Sequence, residues 1–221
     1  METFINQLQQ RNPPLYYFGL FCLLAALACL LLIRFTHTQV VGVNAWYKPF
    51  KFFLSVGIFA WTMGWYLYYL GPLPAGIVYS WGVIVLQGLE LVYIAVQADR
   101  GQLSHFKADT PFYALLYSFM ALAAVAVALG TACIGFLFWQ RDFPGLPTAY
   151  LWGIRIGFGL FVVFALQGLV MGSGMRHTIG GPDGDPGLPV VNWSRRHGDL
   201  RIAHFMGMHA LQMLPIFPFI C

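Results

Sequence analysis

Apolar residues run along this chain in long blocks separated by short polar stretches, at 15–33, 49–70, 75–97, 111–139, 148–171 and 200–219. Each block is close to the roughly 20 residues that an α-helix needs to cross the hydrocarbon of a bilayer. The pattern therefore predicts an all-α, polytopic transmembrane helix bundle of about six spans. Residues 1–14 are polar and end in Asn12-Pro13-Pro14, with Phe4, Ile5 and Leu8 at helical spacing, which predicts a short arm lying at the membrane interface. Residues 15–221 form the transmembrane domain. Gly71-Pro72-Leu73-Pro74 is a tight, uncharged turn, so the second and third spans should be antiparallel neighbours.

Composition reinforces this reading. Hydrophobic residues make up 59% of the 221 positions and charged residues 9%, with a mean hydropathy of +0.68, whereas a soluble domain carries about 25% charged residues. The bilayer is the expected partner. The net charge of +4 comes from loop lysines and arginines, and no basic run with interleaved aromatics appears, which argues against nucleic acid. Cys22, Cys29, Cys133 and Cys221 show no C-x-x-C spacing, and the first three fall in apolar blocks, where cysteine acts as a small hydrophobe. Ala26-Leu27-Ala28-Cys29 offers small residues, but the apolar run continues through Ile33, so the first block reads as a retained helix rather than a removable signal.

Charge also sets an orientation. Arg34, Lys48, Lys51, Arg100, Lys107, Arg176, Arg195, Arg196 and Arg201 fall in or beside the loops after spans one, three and five. Arg11 and Arg141 lie on the other side, and Arg155 lies within a span. The positive-inside rule puts the first group in the cytoplasm and both termini outside. His37, His105, His177 and His197 then belong to cytoplasmic loops, with His204 and His209 in the cytoplasmic half of the last span. Trp46-Tyr47-Lys48-Pro49-Phe50-Lys51 reads as a headgroup-level belt.

Polar side chains inside the spans are the candidate chemistry, because ionisable groups at membrane depth are costly and face a bundle interior or cavity. Glu90 must be paired, protonated or bound to a cation, and shares a helical stripe with Gln87, Tyr93 and Gln97. Arg155 matches it in charge but not in depth, so a histidine of the last span is the expected partner. In that span Arg201, His204, Met208, His209 and Gln212 occupy a wedge of about 140° at about 100° per residue, while Ala203, Gly207 and Ala210 form a small-residue packing face. His204 and His209 diverge too far to grip one metal ion alone. The loop at 172–198, with Gly180-Gly181-Pro182-Asp183-Gly184-Asp185-Pro186-Gly187, reads as a flexible, turn-rich lid rather than a calcium loop.

Three functions compete. The first is a haem- or metal-associated redox or hydrolytic membrane protein, carrying haem b or a divalent transition metal, with His105, His204, His209 and Glu90 as metal ligands. Here Gln87 and Gln212 join the two span histidines in holding the cofactor, and Glu90 and Tyr93 do the chemistry. The second is a proton-coupled transporter that uses the same groups as a relay. The third is a non-catalytic subunit or assembly factor of a larger membrane complex, or a homo-oligomer, whose polar groups are interhelical hydrogen-bond glue. Three stretches, Asn44-Ala45-Trp46-Tyr47-Lys48-Pro49-Phe50-Lys51, 97–106 and 197–212, resemble segments of uncharacterised bacterial polytopic integral membrane proteins. That resemblance implies a bacterial inner membrane and carries no activity.

Overall fold

The computed structural model describes residues 3–217. The chain divides into two compact units, Met1–Met120 and Ala121–Cys221. Helix α5, Pro111–Gln140, runs from the first into the second.

The first unit also contains α1 (Phe4–Arg11), α2 (Pro13–Phe35), the two-residue strands β1 (Gln39–Val40) and β2 (Val43–Asn44), α3 (Tyr47–Tyr69) and α4 (Pro74–Asp99). The arm forms the helix that its periodicity predicts. It turns into α2 at Asn12, whose Oδ1 accepts from the Leu15 N–H at 3.1 Å and so caps α2. The Asn12 amide also donates to Ser80 Oγ on α4 at 3.0 Å, which ties the arm to the bundle. Leu8 is fully buried, and the Arg11 guanidinium lies 3.6 Å from the centre of the Trp65 ring. Helices α2 and α3 approach closely at Gly19 and Gly57, where a Cβ added to Gly57 would stand 3.2 Å from the Gly19 carbonyl oxygen. Between them and α4 lies a core of Cys22, Ala26, Cys29, Phe53, Val56 and Leu91. The expected turn at Gly71 joins α3 to α4.

The outward faces are apolar. Phe21, Leu24, Leu27 and Leu31 on α2, and Ile77, Val78, Trp81 and Val85 on α4, are each more than half exposed. Contiguous surface of that kind fits a hydrocarbon solvent. Five described helices, α2 to α5 and α6 (Thr148–Gly174), are long and apolar enough to cross a membrane. The sixth predicted span is α7, helical over Leu200–Ile216 with Pro215 inside it. At 17 described residues it is shorter than the others, and positions 218 and 219 of the predicted span lie outside the described residues.

In the second unit α6 and α7 pack as an antiparallel pair along glycines. A Cβ on Gly153 would come within 2.8 Å of Pro215 Cα, and one on Gly157 within 2.9 Å of Leu211 Cα. Gly207 receives the ring of Phe164. The face that α7 turns to α6 thus carries Gly207 and Leu211, with His204 beside them. Ala203, expected on this face, is exposed. Cys133 is also exposed, unlike Cys22 and Cys29.

The 172–198 connection is folded rather than merely turn-rich. Strand β3 (Thr178–Ile179) pairs antiparallel with β4 (Gly198–Asp199), closing the segment at its base. Asp183 organises the interior. Its carboxylate accepts from the Thr178 N–H at 2.8 Å, the Thr178 hydroxyl at 2.6 Å, the His177 N–H at 2.8 Å and His177 Nδ1 at 3.0 Å. Burial by itself would raise this carboxyl, but the hydrogen bonds and the His177 ring outweigh it and hold it at about 2. Both oxygens are committed inside the loop, as they would not be in a calcium site.

Candidate functional site

The site in the first unit is built from the turn that follows α4. Gln97, buried to 1% exposure, donates from Nε2 to the Leu103 carbonyl at 2.9 Å, and its own carbonyl accepts from the Gln102 N–H at 2.8 Å. Gly101, at φ +65°, lets the chain reverse there. These bonds fold the connection back so that Ser104 is buried and His105 faces Glu90 of α4. Tyr113 of α5 holds the same turn by donating to Gln102 Oε1 at 3.1 Å.

His105 thereby bridges two charged side chains. Its Nδ1 lies 3.0 Å from Lys48 Nζ in the first turn of α3, and its Nε2 lies 3.7 Å from Glu90 Oε1. An ammonium can only donate, so Nδ1 must accept from Lys48, and the ring proton sits on Nε2, facing Glu90. Gln87 Nε2 donates to the second carboxylate oxygen at 3.2 Å, one helical turn before Glu90. The Glu90 side chain is 10% exposed and that of His105 is 28% exposed. The arrangement therefore grades from a partly open imidazole to a buried carboxylate. The separation of 3.7 Å exceeds hydrogen-bond length, and a small ring movement or one bridging water closes it.

Of the residues expected at the site, the structure gathers Glu90, Gln87 and His105. The histidine facing Glu90 comes from the loop after its own helix instead of from α7, since Gln97 holds that loop in place. Tyr93 points its buried hydroxyl elsewhere, with no hydrogen-bond partner among the described residues. Lys48, read from sequence as a belt residue, belongs to the site. Its spacing from Trp46 masked a position at the helix start that reaches His105.

His204, His209 and Gln212 form a different arrangement in the second unit. His204 Nδ1 donates to the Phe164 carbonyl of α6 at 2.6 Å, and its ring sits over Gly168. The His209 ring packs against Phe205 at 4.4 Å with the two planes tilted by 54°, and Phe205 meets Trp193 of the folded loop edge-on at 5.7 Å. Gln212 Oε1 is buried without a partner among the described residues. Arg201 is no member of a free polar wedge. It grips Asp199 through Nε at 2.9 Å and Nη2 at 2.6 Å, and Nη2 also donates to the Asn192 carbonyl at 2.6 Å. Burial raises the Asp199 carboxyl and these bonds, with those from the Ser194 and Arg201 N–H groups, lower it below its ordinary value overall. Among the described residues, no group of three or more His, Cys, Asp or Glu stands close enough to hold a metal ion.

Fold and site together define a helical membrane protein with a carboxylate buried in one helix and paired to a loop imidazole. Comparison with protein-family models, with curated proteins and with solved structures gave no match.

Proposed function

We propose that this protein takes up and releases protons at Glu90 as part of proton-coupled transport. The observation that carries the reading is the Lys48–His105–Glu90 contact: an imidazole that is partly open to water lies between a donor-only ammonium and a buried carboxylate. Such a ring passes a proton inward by releasing Nε2–H to Glu90 while Nδ1 gains one from outside, after Lys48 swings away. Gln87 steadies the carboxylate in either state. Liposomes loaded with a pH-sensitive dye test this. Proton flux under an imposed potential should fall to the empty-liposome rate with Glu90→Gln, and an unchanged rate would remove the proposal.

The haem or metal reading rests on His204. A histidine whose Nδ1–H is fixed on a main-chain carbonyl presents Nε2 as a ligand, which is the usual arrangement behind metal-bound imidazole. Remaining ligands would come from outside the described residues or from solvent. Purified protein with a Soret band that shifts in His204→Ala would favour this account over the relay.

The cationic ends of α2, α3 and α4 support a cytoplasmic location for His105, with the N-terminus outside; the assignment to a bacterial inner membrane rests on the resemblance of 97–106 and 197–212. Reporter fusions at residue 72 and residue 104 should read external and internal respectively, and the reverse would invert the path.

A further inference from the structure

The loop between α2 and α3 contains a feature separate from the Glu90 site. A cavity of about 440 Å³ opens there, lined by Leu30, Ile33, Arg34, His37, Gln39 and Tyr47, with Thr36 and Asn44 completing its wall. Its shape is set by a hairpin. Val41 and Gly42, at φ +51° and +74°, form a two-residue turn with both central residues left-handed, which folds β2 back on β1. Asn44 then locks the hairpin under α2, since Nδ2 donates to the Thr36 carbonyl at 2.8 Å and the Ile33 carbonyl at 3.3 Å, while Oδ1 accepts from the Trp46 N–H at 3.0 Å. Thr36 Oγ donates to the Leu32 carbonyl at 2.7 Å. These bonds also occupy carbonyls at the α2 C-terminus, whose partial negative charge would otherwise repel an anion.

What remains facing the cavity is a set of donors. The side chains of Arg34, His37, Gln39 and Tyr47 make no hydrogen bond or ion pair within the described residues, and no carboxylate lines the space. A guanidinium, an imidazole, an amide and a phenol around one cavity match the oxygens of a phosphate group. Leu30 and Ile33 supply an apolar wall beside them. The same stretch of α2 presents Leu31 and Phe35, which are 62% and 75% exposed. A ligand here therefore meets cationic donors on one side and hydrocarbon-facing helix on the other.

We propose that this cavity binds the phosphate headgroup of an anionic phospholipid from the surrounding leaflet, with its acyl chains along the outer face of α2. Basic pockets at the cytoplasmic ends of membrane helices hold anionic headgroups in this way. The lipid, rather than a free phosphate, is the occupant because the apolar wall and the exposed Leu31 and Phe35 adjoin the donors.

The test uses the full chain in mixed phosphatidylcholine and phosphatidylglycerol nanodiscs, with retained lipid counted by native mass spectrometry. Wild type should keep one phosphatidylglycerol in preference to phosphatidylcholine. Arg34→Gln should lower that retention about fivefold, as expected for loss of one cation near the surface, and adding His37→Gln should lower it further. Arg34→Lys, which preserves charge, should retain most of the preference, which separates loss of charge from damage to the fold. Equal retention by wild type and the double variant would overturn the proposal. Displacement of the lipid by millimolar inorganic phosphate would overturn it too, by assigning the cavity to a free anion.

Discussion

Glu90 on α4 faces an imidazole that reaches toward water and carries an exchangeable proton, whereas His204 on α7 gives its Nδ1 proton to the main-chain carbonyl of Phe164. Both residues lie in apolar helices with a named partner, Glu90 buried and His204 half-buried. The partners differ in kind. A carbonyl fixes an imidazole and gives it nothing to exchange, while a histidine beside a carboxylate offers a route for charge. Burial in a membrane helix therefore does not by itself mark a working group; under the proposed relay, the second residue of the pair does.

The contrast can be broken first in the second unit, where packing should dominate. Gly157→Val places side-chain atoms against the α7 backbone and should cost about 3 kcal/mol, seen as a lowered thermal midpoint in detergent. An unchanged midpoint would mean that glycine contacts do not hold α6 to α7. In the first unit, Glu90→Gln should cut proton flux about 100-fold, the scale of a lost acid–base group, with little change in stability because the amide can keep the Gln87 contact. His105→Ala should lower flux about tenfold, and added imidazole should restore part of it. Failure of that rescue would move the role from the ring to the loop that holds it.

The smallest effect concerns the folded loop. Asp183→Asn should destabilise it by about 1–2 kcal/mol through loss of charge-assisted hydrogen bonds and leave proton flux intact. Its carboxyl lies at about 2, below the ordinary value, so its contribution is present above about pH 4. That contribution is lost as the pH falls through about 2. Pepsin cleavage near residue 184 should accelerate over that interval in wild type but not in Asp183→Asn. Equal acceleration in both would place the acid-sensitive group elsewhere.

The long helices were legible because hydrocarbon demands uninterrupted apolar blocks, and Glu90 with Gln87 because a helical turn places them together. The sequence groups His105 with Glu90 as a metal ligand, but its direct pairing with that carboxylate was not legible. His105 is brought in by the Gln97 amide acting on a loop carbonyl, a contact without periodicity. On α7 the predicted small residues Gly207 and Ala210 do meet α6, but Ala203 is exposed and His204 crosses to the packing side because α6 offers Gly168 as a seat and Phe164 as an acceptor. The Gly153-Ile154-Arg155-Ile156-Gly157 run carries a readable small-x-x-x-small signal for the α6–α7 contact. In the 172–198 loop, glycine and proline suggested looseness, whereas two aspartates supply the hydrogen bonds that order it.

Arg155 itself has a consequence for how the chain enters its membrane. It donates from Nε to the Phe138 carbonyl at 2.9 Å and from Nη2 to the Arg141 carbonyl at 3.1 Å, both at the end of α5. Helix α5 leaves the ribosome before α6, so the acceptors for this guanidinium are already made when α6 is threaded into the bilayer. A lone α6 would leave this guanidinium, near the start of the helix, without those acceptors. The two helices thus have reason to pass from the insertion machinery as a hairpin, and the order of synthesis becomes part of what makes an arginine tolerable in that span.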